Sequence, residues 1–520
     1  VNIVEAKQIR LEAKDRLLAS IEHLVIQEKD RIGLVGKNGS GKTTLLHVLA
    51  GKAKASEGTI IRRGLIELLP QLKRADLGKS GGEITQRYVN EAFYSGAKLL
   101  LADEPTAHLD RRHVEWVEKK LVEWPEAFVV VSHDRAFLDA VCTTIWEITE
   151  TGFYIYKGNY SAYEMQKEER RHRNELEAEK YEQTKRKLEQ AIAAKQKKAK
   201  RAVKKPKSVG LSEARNVKPY YAKKQKKLQT AAKSLETRLE KLEKIEKPQE
   251  LPPVQITAQH QESLKGRVVI RAEKVEGKAG KQDLWKAADF FIYGGDKTVL
   301  IGPNGSGKTT LLEKIVHRHE GISIAPAVSV GYFSQHLTIL KPSRTIIENV
   351  KEASGQDESL IRTVLARIGF WGEDVFKKVS VLSGGERVKT ALVKLLVSDA
   401  NVLILDEPTN FLDIQAVEAL ESLLAEYRGT VLFTSHDRRF AERIATNVLA
   451  IEDGKLAAFT GTLHEYKEKK ILPSHNEKAE KLLLLETKIA EVVSRLSLEP
   501  ADELEQELKR LLRKKQALTK

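Results

Sequence analysis

The sequence predicts an α/β fold: two tandem copies of one domain, each a parallel-rich sheet with flanking helices. A long α-helical hairpin joins the copies and a helical extension follows them. Three observations predict it. Four short motifs occur twice in the same order, the mark of a duplicated domain. Continuous apolar runs such as LLLAD and FVVVS alternate with helical patterns, as strands covered on both faces do. Residues 161–250, between the copies, are rich in Lys, Glu, Ala, Leu and Gln and carry helical periodicity.

The repeats are close. GLVGKNGSGKTTLLHVLAG at Gly33 returns as VLIGPNGSGKTTLLEKIVH at Val299, and LLLADEPTAHLD at Leu99 as VLILDEPTNFLD at Val402. VVVSHDRAFLD at Val129 returns as LFTSHDRRFAE at Leu432, and KSGGEITQ at Lys79 as LSGGERVK at Leu382. The spacings show where the copies part. Ser80 to Glu104 and Ser383 to Glu407 are both 24 residues, whereas Gln71 to Ser80 is 9 against 48 from Gln335 to Ser383. The first copy therefore lacks most of a helical insertion that the second keeps.

The expected division is a first domain at 1–160, the hairpin at 161–250 with its tip about 203–219, a second domain at 251–470, and a helical extension at 471–520 broken at Pro500. Pro206, Gly210 and Pro219 are read as breaking the hairpin between its two helices. Leu235, Leu239 and Leu242 mark a narrow coiled-coil seam. The net charge of +16 is concentrated. Lys195 to Lys227 holds 14 Lys or Arg and one acid, Glu213. The acids that balance such a face elsewhere in the hairpin vanish there, which favours an anionic partner over a solvated face. A lipid surface fits poorly, because no Trp/Phe/Leu face accompanies the charge.

No apolar run reaches the ~18 residues of a membrane span. The N-terminal residues lack signal or transit patterning. Cys142 is the only cysteine, so a reducing cytoplasm fits, and its setting (LDAVCTTIWEI) predicts an inert buried thiol.

Two segments fit G-x-x-x-x-G-K-[ST] between a strand and a helix. The first gives Gly36, Asn38, Gly39, Ser40, Gly41, Lys42, Thr43 and Thr44; the second gives Gly302, Asn304, Gly305, Ser306, Gly307, Lys308, Thr309 and Thr310. Glycines let backbone N–H groups wrap a phosphate, the lysine reaches the β- and γ-phosphates, and Thr43 and Thr309 hold Mg²⁺. Asp103 and Asp406 end apolar strands and suit Mg²⁺; the following Glu104 and Glu407 suit polarisation of an attacking water. His133 and His436 follow the next strand and are expected at the γ-phosphate, while Gln71 and Gln335 are expected at the metal or the water. Ser80-Gly81-Gly82 and Ser383-Gly384-Gly385 each open a helix, a second anion-binding end.

This set, in this order and twice, resembles the ATP-binding cassette superfamily. The resemblance implies ATP sandwiched between one domain's P-loop and the other's SGGE signature. One site would join Lys42, Glu104 and His133 to Ser383 and Gly385; the other would join Lys308, Glu407 and His436 to Ser80 and Gly82. Tandem cassettes around a basic hairpin, with no membrane segment, resemble the ABC-F branch, and details of the linker and tail are similar to its Vga-type antibiotic-resistance members. That resemblance implies a monomeric ATPase using ATP and Mg²⁺, without zinc, that enters the ribosomal tRNA exit site. It would meet large-subunit rRNA and proteins and P-site tRNA, with a small-subunit contact through the extension. The linker tip would approach the peptidyl-transferase centre and protect against lincosamides, pleuromutilins and streptogramin A compounds. Its residues are Lys204, Lys205, Lys207, Ser208, Val209, Gly210, Leu211, Ser212, Arg215, Asn216, Lys218, Tyr220 and Tyr221.

The sequence departs from the family pattern. Nine residues from Gln71 to Ser80 leave no room for the arm of housekeeping members. Ala107-His108-Leu109-Asp110 and Asn410-Phe411-Leu412-Asp413 each differ by one residue from the usual Asn-His-Leu-Asp, and Lys79 replaces the leucine before SGGE. No aromatic stands upstream of Lys42 to stack on adenine, which leaves ATP against GTP open at that site. The competing readings are a general translation factor of the same branch, the soluble ATPase subunit of a transporter, and a DNA-repair cassette protein.

Overall fold

The structure is a computed structural model. It describes residues 1–13, 16–69, 81–107, 109, 111–149, 152–202, 213–242, 264–280, 282–334, 337 and 339–471, with 489 and 511–512 isolated beyond them.

The first half begins with β1 (Asn2–Ala13), β2 (Arg16–Gln27), β3 (Arg31–Gly36) and α1 (Lys42–Leu49). It continues through β4 (Glu57–Arg62), β5 (Ile66–Leu69), α2 (Gly81–Tyr94), β6 (Leu99–Asp103) and α3 (Arg111–Val122). It closes with β7 (Ala127–Val131), α4 (Arg135–Val141), β8 (Thr144–Thr149) and β9 (Gly152–Lys157). The main sheet has the order β5-β6-β7-β3-β8-β9, parallel except for the β8–β9 hairpin. β6 and β7 are buried at every residue, which is why they read as unbroken apolar runs. A smaller antiparallel sheet, β2-β1-β4, packs its apolar face on α1.

The hairpin follows as α5 (Tyr160–Ala202) and α6 (Glu213–Glu240). The second half opens with β10 (Val268–Ala279), β11 (Gln282–Tyr293), β12 (Lys297–Ile301), α7 (Lys308–Val316), β13 (Ile322–Ile324) and β14 (Val330–Phe333). Next come α8 (Ile346–Lys351), α9 (Glu358–Arg367), α10 (Gly384–Leu396), β15 (Val402–Asp406) and α11 (Ile414–Glu426). β16 (Thr430–Thr434), α12 (Arg438–Ile444), β17 (Asn447–Glu452), β18 (Lys455–Thr460) and α13 (Leu463–Ile471) complete it. Its sheets, β14-β15-β16-β12-β17-β18 and β11-β10-β13, repeat those of the first half. The insertion kept by this half folds as α8, α9 and two 3₁₀ turns at Gly372–Phe376 and Val379–Val381. Thr345 starts α8 with a full capping box to Glu348.

α5 has 43 residues and so spans about 65 Å. The two hairpin helices meet along a seam of small and aliphatic residues, with Ile192, Ala199 and Ala232 buried and Leu235, Leu239 and Leu242 half-buried. The Gln196 amide donates to Glu236 across it (2.9 Å). Pro219 does not break the hairpin as the sequence suggests: α6 begins at Glu213 and runs through it. A proline costs its helix one hydrogen bond, here the one to the carbonyl of Arg215, and the remaining ladder continues. The turn at 203–212, the side chains expected at the tip and the extension past 471 fall outside the described residues.

Cys142 is buried at the end of α4, and burial pushes its thiol pKa up, as an inert core cysteine requires. No helix among the described residues is long and apolar enough to cross a membrane.

Candidate active site

Each P-loop runs from a buried strand into a helix through a left-handed glycine. Gly41 (φ 97°) and Gly307 (φ 94°) cap α1 and α7. A Cβ on Gly307 would lie 2.5 Å from the Trp285 ring, so both conformation and space demand glycine. Lys42 and Lys308 start their helices and fold back over the loops. The Lys42 Nζ donates to the carbonyls of Gly36 (2.7 Å) and Lys37 (2.9 Å), and the Lys308 Nζ to those of Gly302 (2.9 Å) and Pro303 (3.2 Å). Thr43 and Thr309 hydrogen-bond the strand-end aspartates; Thr309 Oγ1 donates to Asp406 Oδ2 at 2.8 Å.

Glu104 and Glu407 both sit in the left-handed region (φ 52° and 51°), a strained conformation for glutamate that recurs in both halves. In each, the next switch histidine donates its backbone N–H to the carboxylate, His133 to Glu104 Oε2 at 3.3 Å and His436 to Glu407 Oε2 at 3.0 Å. The imidazole Nε2 atoms lie 3.3 Å and 3.4 Å from the other carboxyl oxygens. Burial pushes Glu104 up to about 8 and His133 down to about 3, which favours the neutral form of each. Burial also raises Glu407.

The first P-loop faces the second half. The Asn38 N–H donates to Asp413 Oδ2 (3.2 Å) and its amide to the Phe411 carbonyl (3.0 Å). Gly385 of the signature is packed so closely there that a Cβ would lie 3.3 Å from the Asn38 amide nitrogen. Ser383 caps α10 in a capping box with Glu386. At the other site a cavity of about 460 Å³ is lined by Gly302, Lys308 and His436 with Arg112 and Glu115 of the first half.

Residues 22–77 and 285–410 match the family described as ABC transporter, and a second family of that description matches residues 146–210. The chain is 34% identical over 475 residues to the erythromycin resistance ATP-binding protein MsrA of Staphylococcus epidermidis, covering 85% of this chain and 96% of that protein. The chain belongs to the ABC-F family of ATPases. It is also 31% identical over 528 residues to the ribosome protection protein VmlR of Bacillus subtilis, covering 95% and 93%. Among solved structures, the archaeal ribosome recycling factor aABCE1 in complex with ribosomal stalk protein aP1 shares the fold, with a TM-score of 0.60 at 17% identity over 90% of this chain and 92% of that one.

ABC-F cassettes bind ATP with a magnesium ion, and the residues present fit both. Ser40 Oγ, Ser306 Oγ, Asp103 Oδ2, Glu104 Oε1 and Glu407 Oε1 are buried without a hydrogen-bond partner, all at phosphate or metal positions. Among the described residues no cluster of three or more His, Cys, Asp or Glu is arranged to hold a metal. Bound there, magnesium would neutralise charge developing on the transferred phosphoryl group. Thr43 with Asp103, and Thr309 with Asp406, would hold it. Glu104 and Glu407 are oriented by the histidine N–H groups to accept a proton from water.

Of the other expected site residues, Gly36, Gly39, Thr44, Asn304, Gly305 and Thr310 lie in the P-loops and the first turns of α1 and α7, Gly81 and Gly82 open α2, and Gly384 opens α10. Gln71, Ser80 and Gln335 lie outside the described residues. Sequence reasoning missed the residues that tie the ABC-F halves together. Arg135 is buried between the halves against Glu421 and Asp437, and its repeat partner Arg438 meets Glu118 at 3.3 Å. Both arginines directly follow the SHD motif, so the repeat itself held that signal. Glu147, a buried acid in the strand TIWEIT where the other copy has Ala450, was a second visible anomaly.

Proposed function

We propose that this chain is a ribosome-protection ATPase of the cytoplasm. It enters the tRNA exit site as a monomer, meets large-subunit rRNA and P-site tRNA, and sets its hairpin tip near the peptidyl-transferase centre. There it relieves inhibition by lincosamide, pleuromutilin and streptogramin A antibiotics. ATP holds the cassettes together in the bound form, hydrolysis drives release, and the C-terminal extension touches the small subunit.

The observation that carries this reading is how α5 is rooted. Its first turns are tied to the first half through Glu147, which accepts from Tyr163 (2.8 Å) and Lys167 (2.7 Å). They are tied to the second half through Arg439, which donates to Glu164 (2.9 Å) and Ser161 (2.7 Å). Closure of the cassettes therefore acts on the base of a rod whose far end leads, about 65 Å away, into the basic stretch Lys195–Lys227. Lys and Arg there neutralise RNA phosphates, and Tyr220 and Tyr221 offer stacking surfaces to splayed bases. Similarity along nearly the whole of MsrA and VmlR supports the same reading. The division that goes with it is 1–160, 161–250, 251–470 and 471–520.

The test is co-sedimentation of the full chain carrying Glu104→Gln and Glu407→Gln. The variant should pellet with bacterial ribosomes when ATP is present and stay in the supernatant without it. Equal partition with and without ATP overturns the reading.

A further inference from the structure

The first P-loop opens into a cavity of about 890 Å³, the size of a nucleotide-binding cleft. Its floor beside the P-loop residues Asn38 and Gly39 is Leu18, whose Cβ would lie 3.1 Å from one built on Gly41. Its far wall belongs to the linker rather than to the cassette: Lys167, Arg170 and Asn174 of α5 line it. Tyr154 of β9 lies against Arg170, its ring centroid 4.2 Å from the guanidinium carbon, and Arg170 Nη1 donates to the Tyr156 hydroxyl (3.3 Å). The two tyrosines thus tether the guanidinium at the cavity wall.

We propose that the base and ribose of the nucleotide on the first P-loop occupy this cavity, and that Arg170, on the linker helix itself, contacts the base. Three features point there. The P-loop fixes where the triphosphate lies, and the cavity is continuous with it. Leu18 gives an apolar floor but no aromatic ring, and of the aromatics that line the cavity Tyr154 is already covered by the Arg170 guanidinium. A guanidinium stacks on purine faces and donates to ribose hydroxyls. The linker is bound to the same spot from below: Val35, next to the P-loop, pairs in register with Glu147, the carboxylate that holds Tyr163 and Lys167. A base in the cavity bridges the first cassette and the root of the linker, so the linker root responds to the nucleotide as well as to cassette closure.

The probes are MgATP and magnesium tripolyphosphate, which shares the phosphates and lacks the base. Both are titrated by calorimetry into the full chain carrying Lys308→Ala, which removes the second site's phosphate grip. Arg170→Ala should weaken MgATP about tenfold and leave tripolyphosphate unchanged. Asn174→Trp, an exposed position at the cavity, should do the same by filling it. Amide exchange over residues 160–174 should slow with MgATP and not with tripolyphosphate, and Arg170→Ala should remove that protection. Equal loss for both probes, no loss for either, or equal protection by both overturns the proposal. Lys42→Ala in the same background should abolish binding of both probes; with that result in hand, a failed Arg170 arm counts against the base contact alone.

Discussion

At the first site the strand-end acid Asp103 is held by Thr43 alone, and its Oδ2 is buried without a partner. At the second, Asp406 receives Thr309 on one oxygen and Thr434 on the other, each at 2.8 Å. The difference traces to one residue, because the first half has Val131 where the second has Thr434. The first site is also the more enclosed: Lys42 is 8% exposed, and burial lowers its pKa. The interface arginines follow the same trend, with the Arg135 side chain 2% exposed and that of Arg438 23%. Duplication has therefore produced one site that is tightly covered and poorly neutralised, and one that is better satisfied and more open. Unsatisfied buried acids mark a site built for a cation and an anion to complete it.

The comparison can be broken most strongly through turnover. Glu104→Gln with Glu407→Gln should lower ATP hydrolysis by ~10²-fold or more, since both proton acceptors are lost. Glu407→Gln alone leaves the first site. Glu104 below about pH 8 carries the proton it must accept, so the rate of this variant should climb as pH rises through about 8. A flat profile from pH 6 to 9 would sink the assignment of a raised pKa to the working acid.

Stability sharpens it next. Arg135→Ala removes the buried partner of Glu421 and leaves it only the more exposed Arg443 (2.9 Å); it should cost about 1.5–3 kcal/mol in urea unfolding, whereas Arg438→Ala, at a partly exposed pair, should cost about 1 kcal/mol or less. Equal losses would mean that the two interface pairs are equivalent. Glu147→Ala, which copies Ala450 of the other half, leaves the Tyr163 hydroxyl without its acceptor; about 1–3 kcal/mol should be lost, with faster amide exchange at 160–167. The smallest effect is expected from Val131→Thr. The added hydroxyl can donate to Asp103 as Thr434 does to Asp406, and should raise stability by at most about 1 kcal/mol; a loss would mean that the first site has no room for that geometry.

Most of this architecture was legible in the sequence because duplication prints it twice. The P-loops, strand-end acids, histidines and signatures are local motifs with fixed spacing, and the buried strands show as unbroken apolar runs. What was not legible is long-range. Nothing near Arg135 in the chain announces Glu421, 286 residues away, and nothing near Asn38 announces Asp413. Lining up the copies does expose Val131 against Thr434 and Glu147 against Ala450, but their meaning depends on which side chains the fold brings to them. Pro219 was misread for the opposite reason: a local rule about proline was outweighed by the helix around it.

On the proposed function, the paired cassettes exist to place the hairpin's tip. The most direct measurement is cell-free translation inhibited by a lincosamide, with the full chain added against a variant lacking Val209 to Asn216. The full chain should restore translation, and the deletion variant should not, while still hydrolysing ATP. Restored translation by the deletion variant would contradict it.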